Sequence, residues 1–178
     1  DGRTLVATLS LSGNAQVYAV DASGGEPRRL TQTGSIDTEP VFSADGSNIY
    51  FVSDRGGSPQ IYRMGAQGGA AQRLTFTGNY NISPSPSPDG RWLAFISRVN
   101  GAFRLHVMEL STGTVTALTE SSGDESPSFA PNGRMLVYAT SRKGSGVLAI
   151  MSLDGAFRLT LPPVEGQIRE PVWSPYLR

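Results

Sequence analysis

The chain contains no cysteine. Disulfides, thiolate zinc sites and cysteine nucleophiles are therefore excluded, and the redox compartment is left open. Its one histidine, His106, leaves few candidates for general-base catalysis at neutral pH. No apolar run approaches the ~20 residues of a membrane-spanning helix, so no direct membrane insertion is expected. No signal peptide opens the sequence, which points to a cytoplasmic protein or to a mature or truncated exported one. Lys143 is the only lysine, the fifteen basic residues form no stripe, and formal charge is +0. Such a chain has no field to draw nucleic acid or an anionic membrane. What it does have is glycine and proline, 21 and 12 in 178 residues. That composition suits many short strands joined by turns.

Self-similarity organises these turns. Pro40, Pro84, Pro127 and Pro171 recur at spacings of 44, 43 and 44. Asp45-Gly46, Asp89-Gly90 and Asn132-Gly133 keep step with them, and Asp1-Gly2 falls in the same column. So do the pairs Leu30-Thr31, Leu74-Thr75, Leu118-Thr119 and Leu159-Thr160. The apolar pairs Val17-Tyr18, Ile61-Tyr62, Leu105-His106 and Leu148-Ala149 complete the set. A period near 44 residues is that of a propeller blade.

Each period reads as four strands. In the second, "PVFS" (40–43), "NIYFVS" (48–53), "QIYRMG" (60–65) and "QRLTF" (72–76) are separated by turns. Asp-Gly between apolar runs is a strong hairpin signal. A lone four-stranded sheet cannot bury both faces; like sheets packed around an axis can. The expectation is an all-β protein, a β-propeller of four-stranded antiparallel blades with four repeats of ~44 residues. It would form one domain over 1–178, with repeats at about 1–39, 40–83, 84–126 and 127–170 and a closing strand at 171–178. The chain starts on a second strand and ends on a first, the frame a closed ring requires. The four repeats are expected either to close or to be part of a larger ring.

The links between blades hold the candidate site, because a rigid scaffold displays its binding residues on loops. These links are 31–40, 75–84, 119–127 and 161–171. They carry Asp37, Thr38, Glu39, Tyr80, Asn81, Ser83, Asp124, Glu125, Arg169 and Glu170. Glu39, Glu125 and Glu170 read as one column, with Ser83 replacing the acid in the third repeat. Carboxylates converging on a channel mouth suit a cationic partner segment or a metal ion. An isolated acid of this kind caps backbone N–H groups or solvates its loop; three in a column favour a binding role. Spacing of the EF-hand type is absent, so no metal or other cofactor is expected, with calcium in the channel left open.

Other motifs read as structure. The Asp-Gly turns are hairpin chemistry. Gly24-Gly25 and Gly68-Gly69 open no helix and make no phosphate loop. The "SPSPSP" run (83–88) aligns with a first strand, and Trp92 and Trp173 sit at apolar positions. His106 falls in an alternating strand, and no Gly-x-Ser-x-Gly elbow occurs. Hydrolysis would need paired carboxylates ~5–10 Å apart, as in a glycosidase.

The phrases "FSADGSNIYFVSDRGGSPQIYRM", "PSFAPNGRMLVYATS" and "EPVWSPYLR" resemble the TolB family, periplasmic propeller proteins of the Tol–Pal system in Gram-negative envelopes. Each repeat is similar to the WD40-like repeat of that family and of some peptidase accessory domains. The resemblance implies a six-bladed ring preceded by a smaller α/β domain, of which this chain would be a C-terminal part. It implies a non-catalytic interaction module that supports outer-membrane integrity and cell division. It also implies binding of Pal, the peptidoglycan-associated lipoprotein, and of colicin segments at the link face. The "TEP" match at 38–40 makes Thr38 and Glu39 the principal residues. Lacking the N-terminal region, the chain would not couple to TolA, and exposed blade faces would favour self-association. The alternative is a propeller-scaffold hydrolase such as a glycosidase, or a peptidase accessory domain.

Overall fold

A computed structural model describes residues 2–11, 13–142, 144–162 and 168–174. Asp1, Lys143, part of the last link and the end of the proposed closing strand lie outside the described residues. The described residues form strands and no helix.

The first sheet has three antiparallel strands, β1 (Thr4–Leu9), β2 (Gln16–Asp21) and β3 (Arg28–Arg29). The second orders β4 (Asp37–Phe42), β5 (Asn48–Ser53), β6 (Gln60–Gly65) and β7 (Gln72–Arg73). The third holds β8 (Asn81–Pro86), β9 (Trp92–Val99), β10 (Ala102–Glu109) and β11 (Val115–Ala117). The fourth holds β12 (Glu125–Phe129), β13 (Met135–Arg142), β14 (Ser145–Ser152) and β15 (Arg158–Thr160). Two compact units divide the chain, Asp1–Pro84 and Ser85–Arg178.

Turn chemistry sets the hairpins. Asp45 accepts from the Ser43 hydroxyl at 2.6 Å and the Ser47 N–H at 3.0 Å, which fixes the turn while Gly46 takes φ 70°. Asp89 does the same with Ser87 at 2.6 Å and the Arg91 N–H at 3.1 Å. Such Asx turns satisfy the turn backbone, and the left-handed residue is cheapest as glycine. The Asp-Gly pairs are thus accounted for by local structure.

The cores are the middle strands. In the first unit Val17, Leu30, Ile49, Phe51, Tyr62 and Met64 form one buried cluster from the first two blades. In the second, Leu93, Phe95, Leu105, Leu136, Tyr138 and Met151 are buried. Near-continuous burial along β5 and β9 reflects sheets covered on both faces.

Two register readings are corrected. First strands begin earlier than the prolines suggest: β4 starts at Asp37, β8 at Asn81 and β12 at Glu125. Asp37, Thr38, Glu39, Asn81, Ser83 and Glu125 are therefore strand residues, not link residues. The fourth member of the Leu-Thr column is Leu161-Pro162, because Ala149 pairs with Thr160 as Tyr18 pairs with Arg29 and Tyr62 with Arg73. Leu159 and Leu161 are two residues apart, so a period-2 pattern alone does not separate them.

Candidate functional site

The first strands carry an unusual backbone. Glu39, Ser83, Ser126 and Glu170 all have positive φ, between 50° and 55°, and each precedes a proline. A residue before proline is driven out of the right-handed helical region. Here it enters the left-handed one and bulges the strand, shifting register between Thr38 and Val41 and between Glu125 and Ser128. A bulge re-aims side chains. Because the positive φ recurs before all four repeat prolines, the strain belongs to the blade and marks no single catalytic residue. The same geometry corrects the acidic column. The equivalent residues are Glu39, Ser83, Ser126 and Glu170, while Glu125 occupies the position of Thr38, Ile82 and Arg169.

Glu39 is exposed. Its carboxylate accepts the Ser83 N–H at 2.6 Å, 44 residues on, so it ties one bulge to the next. Thr38, Tyr80 and Ser83, in the same unit, are half-buried. In the second unit Glu125 is half-buried, and Arg169 and Glu170 are exposed.

Three of the expected site residues are buried instead. Asp37, Asn81 and Asp124 are 0%, 1% and 2% exposed. Asp37 accepts from Arg55 at 3.1 Å and from the Thr33 hydroxyl at 3.0 Å. Asn81 donates to Gln60 Oε1 at 2.8 Å and to the Thr77 carbonyl at 3.0 Å. Asp124 accepts from the hydroxyls of Thr119, Ser121 and Thr140 and from the Leu105 N–H. These side chains fasten the links to the blade.

The fastening was not foreseen from sequence. Thr31 Oγ1 accepts the Val17 N–H at 3.0 Å and donates to Gln16 Oε1 at 3.1 Å. Thr75 repeats the clasp with Ile61 at 2.9 Å and Gln60 at 2.7 Å. In the third blade Arg104 stands where glutamine would be, and Asp124 supplies the acceptor for Thr119. The signal was present: Gln16 and Gln60 are 44 residues apart, and their threonine partners already marked the repeat. Each such bond is buried, where an orphaned donor costs about 1–3 kcal/mol.

His106 lies in β10, stacked on Phe95 with centroids 5.7 Å apart, and burial pushes its pKa below the ordinary value. Its Nδ1 lies 3.1 Å from the Arg104 carbonyl oxygen. It is packed into the blade against Phe95. Among the described residues no three His, Asp or Glu side chains gather as a metal site would require.

Antiparallel sheets of three and four strands that recur along the chain, bulged first strands at β4 and β12, and clasped links define a β-propeller scaffold. Residues 1–177 match the family model described as the TolB beta propeller domain, and the chain belongs to that family. The Tol-Pal system protein TolB of Bordetella pertussis is 56% identical over 165 residues, 92% of this chain and 38% of that protein. The chain thus spans a little over a third of that relative. The crystal structure of TolB from Acinetobacter baumannii superposes with a TM-score of 0.91 at 45% identity, covering 99% of this chain and 44% of that one. A Mycobacterium tuberculosis puromycin-hydrolyzing peptidase gives a TM-score of 0.69 at 19% identity, covering 92% of this chain and 30% of that one. That likeness reaches the fold alone.

Proposed function

We propose that the chain is a non-catalytic protein-interaction module of the Tol–Pal cell-envelope system, working in the periplasm. Its link face binds Pal, and colicin translocation segments use the same face. The binding supports outer-membrane integrity and cell division. It requires no cofactor. The observation that carries this reading is the 56% identity to a protein whose name places it in the Tol-Pal system. Glu39 fits the role: the bulge presents its carboxylate at the surface, held by the Ser83 N–H. A preorganised charge favours a partner by steering its approach and reducing the ordering cost.

Calorimetric titration with the soluble domain of Pal tests the reading. Saturable binding is expected, weakened about tenfold or more by Glu39→Lys, which opposes a cationic partner with like charge. Glu39→Gln keeps an acceptor for Ser83 and should fall between. Unchanged affinity in Glu39→Lys would remove the residue from the site. No binding by the folded chain would count against Pal as its partner.

A further inference from the structure

The outer edge of a sheet is an open row of backbone donors and acceptors unless something closes it. In the first two blades an arginine does so. Arg29 of β3 sits opposite Tyr18, and its Nε donates to the Thr31 carbonyl at 2.7 Å. Arg73 of β7 sits opposite Tyr62, and its Nε donates to the Thr75 carbonyl at 2.6 Å. Each guanidinium thus binds along its own edge strand. In the third blade the same register position, opposite His106, is Ala117. A methyl group closes nothing.

The ladder shows which groups this leaves open. The Leu118 N–H donates to the Leu105 carbonyl, and the Glu109 N–H donates to the Thr114 carbonyl. Thr114, Thr116 and Leu118 therefore bond inward to β10. Antiparallel pairs alternate, so the N–H and C=O groups of Val115 and Ala117 point away from β10. Among the described residues no strand lies beyond β11. Val115, Thr116 and Ala117 are all exposed. From Leu110 to Thr119 the chain carries no charge. The strands at the other outer edges carry arginine: Arg28 and Arg29 in β3, Arg73 in β7 and Arg158 in β15. The third blade thus lacks the charged edge residue that keeps strands of neighbouring molecules apart.

We propose that β11 pairs antiparallel with β11 of a second copy of this chain. A two-fold axis at Thr116 sets Val115 opposite Ala117 of the second copy. The outward N–H and C=O groups of both residues are then met. Thr116 faces its own copy, and a cross-strand threonine pair is favourable. The symmetry selects this occupant. In a two-fold contact a strand meets its own sequence, so an edge that carries arginine meets like charge, whereas neutral, β-branched β11 does not. So short a contact is weak and forms at high protein concentration. It uses an outer edge and not the link face, so it does not depend on the Pal reading.

Sedimentation equilibrium over a concentration series should show monomer and dimer in exchange. Ala117→Arg, which restores the arginine of the first two blades, should weaken the dimer at least tenfold. Val115→Pro removes an outward donor and no bond to β10, and should do the same. Because the chain has no cysteine, a single introduced thiol reports the register. In Thr116→Cys the two α carbons would be ~4.5 Å apart, within disulfide reach. In Thr114→Cys they would be ~13 Å apart, at ~3.3 Å per residue. Under mild oxidation with diamide the first variant should cross-link at least tenfold faster than the second. No association up to about 1 mM, undiminished association in both edge variants, or equal cross-linking of the two cysteine variants would overturn the proposal.

Discussion

Asn81→Asp changes one atom at a position that sequence reading gave to a partner, and the structure attaches a large cost to it. Asn81 is 1% exposed. Its amide nitrogen donates to two oxygens, Gln60 Oε1 at 2.8 Å and the Thr77 carbonyl at 3.0 Å. An ionised carboxylate turns both contacts into oxygen facing oxygen. Two neutral hydrogen bonds are lost, about 1 kcal/mol each. The Thr77 carbonyl loses its side-chain donor, another ~1–3 kcal/mol, whereas Gln60 keeps the Thr75 hydroxyl at 2.7 Å. The charge itself must be buried or neutralised, which adds to the penalty. The first unit should therefore lose at least about 3 kcal/mol. For a unit of this size that is a melting shift of roughly 12 °C or more in calorimetry. Asn81→Ala, which leaves the oxygens apart, should cost less than Asn81→Asp. Amide exchange of β6 should accelerate by about two decades in the aspartate variant, by the tenfold-per-1.4 kcal/mol relation. A surface residue waiting for a partner would change stability by only about ±0.5 kcal/mol. A melting shift under ~2 °C would refute the clasp, by the same scaling.

Removing Arg55 should leave the fully buried Asp37 carboxylate with the Thr33 hydroxyl as its remaining side-chain donor. Arg55→Met is expected to cost about 3 kcal/mol, and Asp37→Asn in the same chain should return part of it. Strictly additive losses in urea denaturation would show the pair to be uncoupled. Asp45 is held at about 2, below its ordinary 3.8, first by the Ser43 hydroxyl and then by Ser47. A depressed carboxyl contributes stability above its unfolded value and loses it as pH falls through the folded one, here between about 4 and about 2. Carboxyl NMR should show the Asp45 midpoint rising toward the ordinary value in Ser43→Ala; an unmoved midpoint would contradict the hydrogen-bond cause.

Much of the fold was legible because blade periodicity is a property of the chain. β5 and β6 have the bounds read from their apolar runs, and the Asp-Gly turns lie where the sequence puts them. The site was only half legible. Polar residues between strands read as displayed, but Asp37, Asn81 and Asp124 turn inward. Glu39 does face solvent, two residues from buried Asp37 on the same strand. A bulge at the residue before the repeat proline separates the two, and the proline marks the place without showing which way the side chains turn.

The sequence by itself determined the number of repeats, the class of sheet, the turns and the family, because period, turn chemistry and family motifs are local and repeat along the chain. Tertiary structure decided which polar side chains were spent on the fold. A threonine, glutamine or aspartate looks the same in sequence whether its partner is water or a buried N–H of the neighbouring strand.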